Sequence, residues 1–90
     1  MMVEIAFYPA FIKAYRKKIK NNENLKNKFT EKFEIFKNNP FDPRLRTHKL
    51  TGELKELYSF SLDYDHRVIF SFFTNQKVIF EDIGNHDEVY

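Results

Sequence analysis

The sequence predicts a single α+β domain over residues 1–90, in which two helices pack on one face of a mostly antiparallel four-stranded sheet. Three observations carry this prediction. A short segment near the start has the two-residue period of a strand, and two segments then repeat apolar residues every three or four positions. The two-residue period returns in the second half. Ninety residues correspond to one domain, and 42% apolar residues suffice for one compact core.

The first strand and the first helix are predicted from adjacent segments. Residues 3–7 alternate Val, Ile and Phe with other side chains, which indicates a strand. Pro9 suits the first turn of a helix, because its missing N–H group is not needed there. The helix should run to about Lys20, since an apolar stripe marks one of its faces: Tyr8, Phe11, Ile12, Tyr15 and Ile19.

A second apolar stripe predicts a second helix that forms a hairpin with the first. Its members are Leu25, Phe29, Phe33 and Phe36. One of the asparagines in residues 21–24 can cap the start of this helix. Asn38, Asn39 and Pro40 end it, because the residue before a proline disfavours the helical conformation.

The second half of the chain is predicted to form a basic loop and then a three-stranded meander. Residues 40–53 carry the loop signals Pro40, Pro43 and Gly52. From Leu54 the period is two, with turns near residues 63–64 and 74–76 and a polar tail after Gly84. The first strand should lie beside a C-terminal strand, because an unpaired edge strand is a liability.

Alternation in the strand that begins near Arg67 assigns its side chains to two faces. Val68, Phe70 and Phe72 share the core face, so Arg67 should project from the opposite face. Ser59 and Ser61 also lie opposite the apolar positions of their own strand. The sequence therefore predicts a polar cleft on the sheet face away from the helices.

The net charge of +2 conceals an asymmetry between the two halves. Residues 1–50 hold twelve Lys and Arg against five Asp and Glu, whereas residues 51–90 hold three against eight. The basic half could contact a phosphate backbone or an acidic protein, or it could be a solvated helical surface. The absence of Cys excludes disulfides, thiol catalysis and zinc–cysteine sites, and it fits a reducing cytoplasm.

Three segments, residues 48–54, 65–70 and 82–90, carry a resemblance to a known family. In this order they resemble the RelE/ParE superfamily of bacterial type II toxins, and most of all its YafQ-like branch of messenger-RNA interferases. The resemblance covers nearly the whole chain, although the first half matches only in pattern. It implies a RelE-like fold and a cytoplasmic endoribonuclease, ribosome-dependent or free, that needs no metal or other cofactor.

The resemblance also implies a catalytic set: His48, Asp65, Arg67 and His86. His48 matches a loop histidine, Asp65 the acidic residue that starts the next strand, and His86 the histidine of a C-terminal Gly-x-His motif. Arg67 matches an arginine that contacts the scissile phosphate.

Two positions depart from the family pattern. Ser61 lies near a place where the YafQ-like branch can carry another histidine, and the missing acid–base group could lower activity or shift its role to a neighbour. His66 stands where the superfamily often has tyrosine or tryptophan.

These residue types suit attack of a ribose 2′-OH on the adjacent phosphorus. The reaction needs a base, an acid and positive charge near the phosphorane, which histidines and an arginine provide. Which histidine is acid and which is base stays open. Further RNA contacts are predicted for the residues Arg44, Arg46, Lys49 and Tyr90, the last by stacking on a splayed base. Phe41 is expected to pack in the core.

Two other functions and one other chemistry compete with this hypothesis. The chain could be a ParE-like gyrase inhibitor, or a degenerate toxin that only binds its antitoxin. Metal binding is not predicted, because none of the candidate ligands has the spacing of a zinc motif: His48, Asp65, His66, His86 and Asp87.

The expected partner is a small antitoxin that is partly disordered and folds on binding. It could lie across the basic helical hairpin, add a β-strand to the sheet and cover the tail that bears His86. The toxin should be a monomer when free, or part of a heteromeric complex with this antitoxin. No membrane contact is expected.

Overall fold

The computed structural model describes residues 2–51 and 56–85, which form two helices and one mixed sheet. The elements in chain order are β1 (Glu4–Phe7), α1 (Pro9–Lys18), α2 (Glu23–Asn38), a 3₁₀ turn (Pro43–Leu45), β2 (His48–Lys49), β3 (Tyr58–Ser61), β4 (His66–Phe72) and β5 (Lys77–Asn85). In the described part of the chain, no helix has both the length and the apolar character that a membrane crossing needs.

Both helices begin where their sequence signals predict, and α2 also ends as predicted. Pro9 lies in the first turn of α1. The side chain of Asn22 caps α2, because its Oδ1 accepts a hydrogen bond of 3.1 Å from the N–H of Leu25. Asn39 is extended and ends α2 before Pro40. Helix α1 ends at Lys18, slightly earlier than predicted.

The sheet has the strand order β1-β5-β4-β3-β2. Strand β1 pairs in parallel with β5, as predicted for the first strand, and the other three pairings are antiparallel. The prediction of four strands was wrong by one, since His48 and Lys49 form a short strand instead of lying in a loop. They pair with Ser59 and Tyr58, and the N–H of Leu50 extends this pairing to the carbonyl of Leu57 at 2.8 Å.

The core lies between the helices and one face of the sheet. The ring of Phe36 from α2 contacts the rings of Phe60, Phe70 and Phe80 at centroid distances of 5.0, 4.9 and 5.2 Å. All four rings are fully buried. Phe11 of α1 contacts Phe80 on the same face, so both helices cover this side, as the fold class predicts.

Phe41 is not the core residue that was expected. Its side chain is 53% exposed, and its ring stacks on Phe72 at 5.9 Å at the margin of the core. The reason is its position, because Phe41 follows Pro40 outside the helix and lies over the end of the sheet instead of between the layers.

Candidate active site

The face of the sheet turned away from the helices, here called the outer face, collects the polar residues predicted for a site. Residues directly opposite on neighbouring strands share a face. His48 pairs with Ser59, and Ser61 pairs with Arg67. Val68 and Phe70, which flank this alternation, are fully buried against the helices, so Arg67 projects outward as its parity predicts.

Arg67 pairs with Gly84 on β5, so no side chain of β5 lies beside it at this position of the outer face. Glycine has no side chain, so β5 contributes nothing that covers this part of the outer face. His48 lies two strands away and two residues further along. Strand spacing of about 4.8 Å and a rise of about 3.4 Å per residue place the two Cα atoms roughly 12 Å apart.

The guanidinium of Arg67 is anchored on the turn that precedes its own strand. Its Nη1 donates to the carbonyl oxygens of Asp63 at 2.8 Å and Tyr64 at 3.3 Å, with a longer contact of 3.5 Å to that of His66. One terminal nitrogen is thus held by the backbone, so the turn determines where the positive charge lies on the outer face.

Asp63 holds the same turn from its other side, and it was not among the predicted site residues. Its Oδ1 accepts hydrogen bonds from the N–H groups of Asp65 at 2.9 Å and His66 at 2.8 Å, and it lies 3.0 Å from Nδ1 of His66. Partial burial raises the pKa of Asp63, but the hydrogen bonds and charge of His66 outweigh it, so the pKa lies below its ordinary value. An aspartate shortly before a strand is a signal for this kind of turn.

Asp65 is exposed in this turn, directly before β4 begins at His66. Strand parity therefore does not determine its direction relative to Arg67. His48 is exposed on β2, and its Nδ1 lies 3.2 Å from the carbonyl oxygen of Arg46. Because a carbonyl can only accept, Nδ1 carries the proton in this contact. The structure thus brings His48 and Arg67 to one face and places Asp65 at its end.

Two of the loop cations predicted to contact RNA form ion pairs with neighbouring carboxylates. Arg44 donates two hydrogen bonds to the carboxylate of Asp42, from Nε at 3.0 Å and from Nη2 at 2.9 Å. Lys49 forms an ion pair with Glu56 at 3.0 Å. Hydrogen bonds from the side chain and backbone of Arg44 lower the pKa of Asp42 from 3.8 to about 2.

Arg46 differs from both of these cations. It is exposed and makes no ion pair with the residues that the structure describes. Its φ of 52° and ψ of 46° place it in the left-handed region, where it ends the 3₁₀ turn. The loop therefore presents the Arg46 cation at a position that its backbone fixes.

The remaining predicted site residues, His86 and Tyr90, lie outside the described residues. Strand β5 ends at Asn85, which pairs with His66 at the start of β4. Within residues 2–51 and 56–85, no three His, Cys, Asp or Glu side chains form a group that could hold a metal ion.

Solved structures of bacterial and archaeal toxins have the same fold. A metal-bound toxin from Helicobacter pylori matches with a TM-score of 0.74 and 22% identity, over 99% of this chain and 100% of that one. YafQ from Escherichia coli matches with 0.72 and 20%, over 98% of each chain. RelE in the RelE–RelB complex of Pyrococcus horikoshii matches with 0.72 and 20%, over 94% and 96%.

These comparisons define the fold of the chain as that of the RelE- and YafQ-type toxins. The resemblance to the RelE/ParE superfamily is thereby confirmed at the level of the fold. No protein-family model matches the sequence, and no curated protein matches it significantly.

We expect the free energy of unfolding to fall as the pH drops from about 4 to about 2. The pKa of Asp42 is about 2 in the folded protein against 3.8 ordinarily, and that of Asp63 is also lowered. A lowered pKa stabilises the fold above the ordinary value, and this stabilisation is lost as the pH falls through the folded value. Urea unfolding between pH 5 and pH 2 measures the loss.

Asp42→Asn should reduce the loss of unfolding free energy between pH 5 and pH 2. The matched control is Asp65→Asn, which changes an exposed aspartate in the turn between β3 and β4. If Asp42→Asn and the parent lose the same unfolding free energy between pH 5 and pH 2, the Asp42–Arg44 pair does not stabilise the fold as expected.

Proposed function

We propose that the protein is the toxin of a type II toxin–antitoxin system and that it cleaves RNA without a metal ion. The observation that supports this most directly is the outer face, where Arg67 is anchored beside Gly84 and shares the face with His48. The toxin fold of the similar structures supports the same proposal. The protein would then act in the cytoplasm, where messenger RNA is translated.

The proposed reaction is transfer of the phosphate to the neighbouring 2′ oxygen. A histidine removes the proton of the 2′-OH while this oxygen forms a bond to phosphorus. The bond from phosphorus to the 5′ oxygen breaks, and a second histidine protonates that oxygen. His48 and His86 are the candidates, with Asp65 near them. Arg67 offsets the negative charge that builds on the non-bridging oxygens, an interaction that is stronger in the transition state than in the ground state.

The products identify the mechanism. Pure protein incubated with RNA in EDTA should release fragments with a cyclic phosphate at one end and a 5′-OH at the other. Parallel reactions with and without ribosomes decide whether cleavage depends on them. Cleavage that EDTA abolishes would contradict the metal-free mechanism. No cleavage in either reaction, together with inhibition of gyrase supercoiling, would replace the proposal by the ParE-like alternative.

Arg46 is the loop cation that we expect to contribute most to RNA binding. Arg44 and Lys49 are already neutralised by carboxylates, whereas Arg46 is not. Arg46→Ala should weaken binding and lower the slope of log affinity against log salt by about 0.7, the value for one phosphate contact on a single strand. The maximal rate at saturating RNA should stay unchanged. Arg44→Ala should have a smaller effect on binding.

Arg46→Gly separates the charge from the backbone conformation. It removes the same cation as Arg46→Ala, but glycine adopts a positive φ without steric cost. We therefore expect equal loss of RNA binding and a free energy of unfolding about 1 kcal/mol higher than that of Arg46→Ala, since alanine has a Cβ that disfavours the left-handed region. Binding at several salt concentrations and urea unfolding measure the two effects. Unequal binding by these two variants would show that Arg46 acts through loop conformation instead of charge.

An antitoxin is the partner that we propose for the surface formed by β1 and the two helices. A groove of about 380 Å³ lies there, here called the helix groove. Its walls are apolar and its rim is basic, with the lining residues Phe7, Phe11, Ile12, Tyr15, Arg16, Lys20, Lys26 and Phe29. An amphipathic segment with acidic flanks would match both properties.

The open edge of β1 adds a backbone site next to the helix groove. Glu4 and Tyr8 donate their N–H groups to Gln76 and Phe80 on the β5 side. Because alternate residues of a strand point to opposite neighbours, the N–H and C=O groups of Ile5 and Phe7 point to the open edge. A partner strand can pair there while an adjoining segment lies in the groove. The RelE of similar fold was solved in complex with RelB.

Co-expression with the neighbouring open reading frame tests the antitoxin proposal. The encoded protein should bind tightly, relieve growth arrest and associate more slowly at high salt. Ile12→Glu should weaken the complex because it places a charge on the apolar wall, whereas Lys17→Glu, elsewhere on the same helix, should weaken it less. A neighbour that neither binds nor relieves arrest would count against the proposal.

A further inference from the structure

Tyr64 lies at the tip of the loop between β3 and β4. Strand β3 ends at Ser61 and β4 begins at His66. The N–H of Leu62 donates to the carbonyl oxygen of His66 at 2.9 Å, so residues 63–65 form the tip. Tyr64 is 84% exposed there, more than any other large hydrophobic residue in the described part of the chain. Core packing therefore does not explain an aromatic side chain at a place where turns usually have small or polar residues.

The backbone on either side of Tyr64 is held by hydrogen bonds from both faces of the sheet. Oδ1 of Asp63 accepts the N–H of His66 at 2.8 Å and lies 3.0 Å from Nδ1 of the same residue. His66 has the parity of the fully buried Val68, so its ring belongs to the helix side of the sheet. From the outer face, Nη1 of Arg67 donates to the carbonyl oxygens of Asp63 at 2.8 Å and Tyr64 at 3.3 Å. The loop thus presents the exposed ring from a fixed backbone.

The contact with Arg67 brings Tyr64 to the proposed phosphate site. Its carbonyl oxygen lies 3.3 Å from Nη1 of Arg67, so standard bond lengths place the Cα atom of Tyr64 at most about 6 Å from this nitrogen. Because Arg67 projects from the outer face, the tip of the loop lies at the end of that face. A ring that begins this close to a bound phosphate can reach the base of an adjoining nucleotide.

A tyrosine at this place suits the bases of single-stranded RNA, which proteins often hold by stacking on an aromatic ring. The ring is flat and rigid, and only two side-chain torsions must be fixed when it binds. We propose that Tyr64 stacks on the base of a nucleotide that adjoins the scissile phosphate, while Arg67 contacts the phosphate itself. This inference rests on the proposed function. Tyr64 then favours cleavage sites with a purine at this position, because a purine stacks more strongly than a pyrimidine.

Tyr64→Ala in the full chain tests this role through the separation of KM from kcat. KM should rise roughly tenfold, the usual effect of losing one stacked base. The value of kcat should change by less than about threefold, because stacking is equally strong in the ground state and in the transition state. Affinity for an RNA that carries a 2′-O-methyl group at the mapped cleavage site, and so cannot be cut, should fall by the same factor as KM rises. The melting temperature should stay unchanged, since the side chain is exposed.

An RNA that lacks the two bases beside the cleavage site identifies the contact as stacking. The parent and Tyr64→Ala should bind this abasic RNA equally, because the ring then has no base to stack on. Tyr64→Phe should keep most of the affinity for the intact RNA, since the ring remains. Phe73→Ala is the matched control. Phe73 is 69% exposed at the turn on the other end of β4, and its loss should leave binding as in the parent. Six residues of strand separate it from Arg67, which is roughly 20 Å.

Three outcomes overturn the inference in distinguishable ways. Parental KM and affinity in Tyr64→Ala show that the ring does not contact RNA, while the proposed function stands. An equal loss of affinity by Tyr64→Ala for intact and abasic RNA shows that Tyr64 acts through something other than a base. Where Tyr64→Ala does not fold, Tyr64→Leu removes the ring but keeps apolar volume, and it is judged by the same measurements. A parent protein that does not cleave RNA overturns both the inference and the proposed function.

Discussion

Arg67→Ala should reduce the rate of RNA cleavage roughly a hundredfold or more while weakening RNA binding much less. The guanidinium lies on the outer face beside Gly84, and its anchored Nη1 fixes where the charge lies. Charge on the non-bridging oxygens increases as the 2′ oxygen attacks, so the loss falls mainly on kcat. Single-turnover rates at saturating RNA, together with an independent binding measurement, separate the two effects.

Two controls make the result specific. Arg67→Lys keeps the charge but loses the planar fork, so it should recover only part of the rate. Arg16→Ala removes the same side chain from the helix groove on the other side of the sheet and should leave cleavage unchanged. Because Arg67 also contacts turn carbonyls, melting curves must accompany the rates. Parental cleavage and growth arrest by Arg67→Ala would remove Arg67 from the catalytic set.

Phe36→Ala should lower the free energy of unfolding by about 3–5 kcal/mol, the range for a buried phenylalanine. Its ring is fully buried and touches three other buried rings from three strands, so no single neighbour can move to fill the cavity. A domain of this size starts near the lower end of the usual stability range, about 5 kcal/mol. The variant should therefore be largely unfolded at growth temperature. Urea unfolding followed by circular dichroism measures the change.

Phe73→Ala is the matched control for this effect. Phe73 is 69% exposed at the turn after β4, so the same substitution there should change the unfolding free energy by less than about 0.5 kcal/mol. Phe36→Leu should fall between the two variants, because it keeps most of the apolar volume. Equal stability of Phe36→Ala and Phe73→Ala would show that the core is organised around another residue.

The helices and the core could be predicted because a helical or strand period alone assigns residues to faces. The stripe that contains Phe36 and the alternation around Phe70 both identified buried residues correctly. Strand β2 could not be predicted, since two residues, His48 and Lys49, are too few to show a period. Its existence depends on the backbone of β3, which lies next to it only in the folded chain.

The candidate site likewise has features that a sequence period predicts and features that depend on the folded chain. The parity of β4 predicted the face of Arg67, but no period could indicate that its Nη1 contacts turn carbonyls. Asp63 was not predicted as a site residue because its hydrogen bonds depend on the path of the turn. The Asp42–Arg44 and Lys49–Glu56 pairs likewise depend on side-chain positions that no sequence pattern indicates.

The pairing of β1 with β5 affects how the protein emerges from the ribosome. Glu4 pairs with Lys77, and β5 is covered on one side by β1 and on the other by β4. In a nascent chain, β1 and both helices are synthesised first. They lack the strand against which they pack until β5 has left the exit tunnel. Contacts between such distant segments also form slowly. The sheet can be completed only after β5 has been synthesised, and the proposed antitoxin, translated alongside, would have that interval in which to bind.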